Sequence, residues 1–235
     1  MSLRGRAVMH HTRGVVALAV VAVIGAVGCS PDDDPDRVED LSDGEESLPT
    51  YDFGEEGSGR MVYSGTLVPL NGSTVNGQVT VDASQQPVAV TVEALEIGDE
   101  LRHLQHLHVG GDGTCPSASS ARDKLLTTSD AHDAWGSPLM ALTVEGDVGS
   151  DSQAALDRFP RAVDGALGYA RTFDLPAPVV AEDLDGAVYV LHGMPSLSGD
   201  ESEYDGDRRS TLDADLPLET GLPIACAGLS RETAS

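Results

Sequence analysis

Three histidines fall within six residues in the run Arg102-His103-Leu104-Gln105-His106-Leu107-His108-Val109. On an extended strand successive side chains point to opposite faces. His106 and His108 then share one face, with His103, Leu107 and Val109 on the other. Two imidazoles spaced two residues apart lie about 6–7 Å from each other and can tilt onto one ion. A third imidazole from a neighbouring strand would complete a plane. Imidazole-only ligation suits copper or zinc, and near-planar nitrogen ligation suits Cu(II). Beyond the first 28 residues the other histidines are His132 and His192. No C-x-x-C, H-E-x-x-H, G-x-S-x-G or P-loop pattern occurs, which removes the common zinc, serine-hydrolase and nucleotide signatures.

Such a pair needs a strand to carry it, and from Arg60 onward the chain reads as strands. Short runs of Val, Leu, Ala and Thr are punctuated by Gly, Pro, Asp and Ser. Strands are expected at 61–68, 74–81, 88–94, 104–109, 139–144, 166–173, 187–192 and 224–229, with at most one short helix near 153–159. Period-two stretches such as Gln78-Val79-Thr80-Val81 suit a sheet with one wet face. The expected fold class is therefore all-β: an eight-stranded antiparallel sandwich or Greek-key barrel spanning 60–235. Aromatic residues make up 4% of the chain, so its core must be aliphatic. The stretches 110–138 and 193–223 read as long loops, which inside a compact domain are functional or specially held.

Ahead of this domain the chain carries the marks of export. Arg4, Arg6 and Arg13 precede an apolar run from Val15 to Val27, too short to span a bilayer comfortably. Residues 1–28 read as a signal peptide. Ala26-Val27-Gly28-Cys29 resembles a lipobox, which makes Cys29 the expected lipidation site and a membrane the expected partner. Residues 29–59 are crowded with Asp, Glu, Ser, Pro and Gly and read as a solvated acidic tether to an extracytoplasmic domain. Formal charge is −25 overall, about −28 without the three signal-region arginines, and Lys124 is the only lysine. Such a charge repels phosphate backbones and excludes a nucleic-acid partner. Past the anchor two cysteines remain, Cys115 and Cys226, and an even count in an oxidising compartment argues for one disulfide. The acidic run 200–207 has some calcium-loop spacing, but Leu212 stands where the closing glutamate belongs, so it reads as a solvated loop.

His106-Leu107-His108 followed by Gly110-Gly111-Asp112-Gly113-Thr114-Cys115 resembles the copper-binding strand and disulfide loop of the copper/zinc superoxide dismutases. Val188-Tyr189-Val190-Leu191-His192-Gly193 is similar to that family's later strand, which ends in another copper ligand. Ile224-Ala225-Cys226-Ala227-Gly228 resembles its final strand, with the second cysteine of the disulfide. The resemblance implies a Greek-key barrel, copper at His106, His108 and His192, a Cys115–Cys226 bridge, and superoxide as the small-molecule substrate.

Departures from the family pattern bear on that expectation. Residues 116–123 contain no bridging histidine, and only His132 remains in the loop, so zinc is not expected and His132 becomes a candidate fourth copper ligand. Leu222 and Pro223 stand where the family places its superoxide-attracting arginine. The competing expectation is a non-enzymatic envelope module, structural or weakly metal-binding; a chordin-type domain offers a similar sandwich with a histidine-bearing strand.

Overall fold

The run Val88-Ala89-Val90-Thr91-Val92-Glu93-Ala94-Leu95 alternates branched apolar residues with others, and in the structure it is a strand that buries Val88, Val90, Val92 and Ala94. That alternation organises half of the molecule. The computed structural model describes residues 60–98, 101–194 and 208–233. The signal segment, Cys29, the acidic tether and the run 200–207 lie outside the described residues. No helix among the described residues is long and apolar enough to cross a membrane.

Among the described residues there are ten strands: β1 (Val62–Thr66), β2 (Val68–Pro69), β3 (Asn76–Asp82), β4 (Val88–Leu95), β5 (Gln105–Gly110), β6 (Gly136–Ala141), β7 (Ala166–Phe173), β8 (Val188–His192), β9 (Pro223–Gly228) and β10 (Ser230–Arg231). They form two five-stranded antiparallel sheets, one ordered β10-β1-β3-β4-β7 and the other β2-β9-β8-β5-β6. The fold is thus an all-β sandwich. The two sheets are not closed into a barrel, which corrects that half of the expectation.

Each of the eight expected strands has a counterpart in the structure, with shifted ends in all but Ala166–Phe173. The segment expected as one strand at 61–68 divides at Leu67 into β1 and β2, so that β1 pairs with β3 while β2 joins β9 in the opposite sheet. The helix expected near 153–159 is replaced by two 3₁₀ turns, Ser150–Ser152 and Leu156–Arg158. Pro160 disfavours helix at the residue before it, and no sustained apolar stripe rewards a longer helix. Two single-turn α-helices, α1 (His132–Trp135) and α2 (Leu218–Gly221), lie in the stretches read as loops.

Between the sheets Val79, Val81, Val90 and Val92 face Leu107, Met140, Tyr189, Leu191, Ala225 and Ala227 in one apolar cluster. Its buried polar groups are paired: the Tyr189 hydroxyl donates to Gln105 Oε1 at 2.7 Å, and Gln105 Nε2 donates to the Leu142 carbonyl at 3.1 Å. The second sheet is buried on its outer face as well. There Val188, Val190 and Cys226 lie under Leu70, Leu126, Ala131 and Trp135, while Leu104 and Ala141 lie under Phe159. A disulfide joins Cys115 to Cys226 across 111 residues and fastens the loop after β5 to that outer face.

Candidate metal centre

In β5, Leu107 enters the core between the sheets, which turns His106 and His108 to the outer face of the second sheet. Their ring centroids are 6.0 Å apart. On the adjacent β8, Tyr189 and Leu191 face the core while Val188 and Val190 face outward, and the same alternation puts His192 on that outer face. Its ring lies 5.2 Å from that of His106. All three histidines are fully buried under the long loops. One ring nitrogen from each lies within 4.8 Å of the others.

Main-chain carbonyls settle which nitrogens converge. His106 Nε2 lies 2.9 Å from the Gln153 carbonyl, His108 Nδ1 lies 3.2 Å from the Gly136 carbonyl, and His192 Nδ1 lies 3.0 Å from the Gly221 carbonyl. A carbonyl can only accept, so each of these ring nitrogens carries the proton and donates. The opposite nitrogens are then lone-pair acceptors. Those three atoms, His106 Nδ1, His108 Nε2 and His192 Nε2, are buried with no hydrogen-bond partner. An orphaned buried acceptor is costly, and three facing one point is the donor set a soft or borderline cation takes. The residues present fit a copper ion.

Electrostatics keep the rings neutral. Burial pushes the His106 pKa down to about 3, and the neighbouring His108 adds to this. Burial also lowers that of His108 to about 4, against the hydrogen bond it donates to the Gly136 carbonyl and with a further lowering from His132. For His192 burial lowers the pKa well below the ordinary value, followed by repulsion from His106 and His108. Neutral imidazole is the ligand form.

His132 stands apart from the converging group. It opens α1 and is exposed, and its nitrogens are not among the three that meet. His103 departs from the strand-face expectation. It precedes β5, and its Nδ1 lies 3.0 Å from the His192 carbonyl, its Nε2 3.2 Å from that of Gly98. A neutral ring donates to one of these at a time. His103 therefore touches the backbone of His192. Leu222, in place of an arginine, is buried against Leu125 and Leu218.

Sequence reasoning missed Gln153, Gly136 and Gly221, whose carbonyls orient the rings; a main-chain acceptor leaves no mark on residue type. The two glycines do have a local reason. Gly136 has φ of +77°, and a Cβ there would run into the Val109 carbonyl. A Cβ on Gly221 would run into the Ser210 hydroxyl. Phe159 and Trp135 were also missed; their rings lie 5.7 Å from His106 and 5.6 Å from His108.

No family model matches the chain, and no curated protein matches it in sequence. Among solved structures, two single-residue variants of superoxide dismutase 5 from Candida albicans are similar at 10% identity, with TM-scores of 0.37 and 0.38. The likeness covers 74% and 76% of this chain and 94% and 96% of theirs. The Cu(II) form of the same Candida albicans protein is similar at 11% identity and TM-score 0.36, over 75% of this chain and 95% of that one. Likenesses at this level do not define a family, and the functional reading rests on the chain's own atoms.

Proposed function

We propose that this protein is an exported, lipid-anchored β-sandwich that holds one copper ion at His106, His108 and His192. The observation that carries the reading is the trio of buried, partnerless ring nitrogens within one ion's reach. Three imidazoles with no carboxylate beside them favour copper over harder cations. The lipobox-like run ending at Cys29 and the acidic tether support attachment to a membrane on its extracytoplasmic side.

Copper would bring one-electron chemistry to the site, and the protein's own part is to fix the tautomers and exclude water. Dismutation of superoxide is the further step that the ordered histidine and cysteine motifs suggest. Two features weigh toward holding the ion instead. The three acceptor nitrogens are out of solvent contact, and an acidic surface without the steering arginine repels an anionic substrate.

Purified protein loaded with copper should retain about one ion per chain against a moderate chelator, and any two His→Ala changes among His106, His108 and His192 should abolish this. Retention of copper by such double variants would overturn the assignment. The same preparation assayed against equimolar chelated copper decides between holding and turnover: faster superoxide removal makes it a dismutase. Cys29→Ser should release the protein from membranes or block its processing.

A further inference from the structure

The connection between β6 and β7, residues 142–165, supplies both a carbonyl and an aromatic ring to His106, and it is braced by side chains that no motif in the sequence singles out. Ser152, fully buried, immediately precedes Gln153. Its hydroxyl accepts from Arg158 Nη1 at 3.0 Å, and Asp147, which accepts from the Gly149 N–H at 3.0 Å, has its carboxyl held low first by that N–H. Arg158 Nη1 also lies 3.4 Å from Asp147 Oδ2. Main-chain bonds then close the loop on itself and on β6: Val144 donates to the Arg158 carbonyl at 2.8 Å, and Ala141 donates to that of Val148 at 2.9 Å. At its base, Arg171 on β7 donates to the Thr143 carbonyl and hydroxyl, each at 2.7 Å.

We infer that Asp147, Ser152 and Arg158 form a clamp that holds the Gln153 carbonyl against His106 Nε2, which makes Ser152 and Arg158 positioning residues for the metal centre. The inference deepens the copper reading and rests on it only for the ion. His106 is the one ring of the three that presents Nδ1 rather than Nε2, and the one whose orienting carbonyl comes from this braced loop. The His108 partner, Gly136, sits in β6 beside it; that of His192, Gly221, closes α2. Without the clamp the Gln153 carbonyl drifts, the His106 proton redistributes between its two nitrogens, and the Nδ1 lone pair is no longer held toward the centre.

Ring-nitrogen NMR on the full metal-free chain separates this from a general packing role. The parent protein should show His106 protonated at Nε2 alone and His108 and His192 protonated at Nδ1 alone. In Ser152→Ala and Arg158→Ala the His106 signals should become those of mixed tautomers while the other two rings stay unchanged. Arg158→Lys should restore part of the pattern and serves if Arg158→Ala does not fold. Copper affinity in the same variants should fall about 10–100-fold, the range for loss of an outer hydrogen bond to a ligand. A pure Nε2–H tautomer at His106 in folded variants, or equal changes in all three rings, would overturn the clamp. Unaltered copper affinity would also overturn it and leave the copper reading intact. The expected tautomer changes in a chain that takes up no copper would uphold the clamp and sink the copper reading alone.

Discussion

The two sheets of this sandwich are built from similar residues and live in different surroundings. In β4 burial alternates along the strand, with Thr91 half-buried and Glu93 exposed on the outer face. In β8 every residue from Val188 to His192 is buried, and β9 is buried throughout except at Gly228. The difference comes from the loops, which leave the first sheet's outer face open and roof the second with Trp135, Phe159, Leu126 and the disulfide. A polar residue on the open face needs no partner but water. One under the roof must find a partner, and the three histidines there do so with one nitrogen each. The histidine cluster is thus the place where a roofed sheet keeps polar atoms unsatisfied.

Cutting the bond that fastens the roof should have the largest effect. Reducing Cys115–Cys226 removes a constraint on a 111-residue separation, worth up to about 4–5 kcal/mol in the chain-entropy treatment. Hydrogen exchange should quicken first at the loop after β5 and at β9, and last at β3 and β4. Equal loss of protection in both sheets would break the distinction between them. Emptying the roof comes next. Phe159→Ala should cost about 3–5 kcal/mol in a denaturant titration, whereas Glu93→Ala on the open face should stay within about 0.5 kcal/mol. Similar costs for the two would show that the loops add little to the outer face.

The third effect is graded and appears with acid. The folded-state pKa values of His106, His108 and His192 are depressed, so below pH 6.5 the unfolded chain binds more protons than the folded one. Metal-free protein should therefore lose stability as pH falls from about 6.5 toward about 4, by up to about 1.4 kcal/mol per pH unit for each histidine. The slope should shrink in His106→Ala. A flat profile through that window would mean that the rings are not held neutral.

The same contrast explains what could be read from sequence. Alternation made β3 and β4 legible, and Ala166–Phe173 coincides with its expectation because its face pattern is equally plain. The strands β8 and β9 were found as apolar runs bounded by glycine and proline, with ends misplaced by a residue or so, because continuous burial erases the period. The pair His106 and His108 followed from His-x-His on a strand, while His192 came only with the family resemblance. The orienting shell of the three rings did not follow, since Gln153, Gly136 and Gly221 act through carbonyls that every residue possesses. His103 stands before the start of β5, where face parity no longer assigns a side.

The strand pairing also sets an order of events. The first described strands, β1 and β2, are completed by the last, with Tyr63 opposite Arg231 in one sheet and Val68 opposite Cys226 in the other. Neither sheet can gain its full set of neighbours until the carboxy-terminal strands have emerged, and pairings so distant along the chain form slowly. A polypeptide of this topology therefore stays incompletely paired in both sheets until β9 and β10 are available.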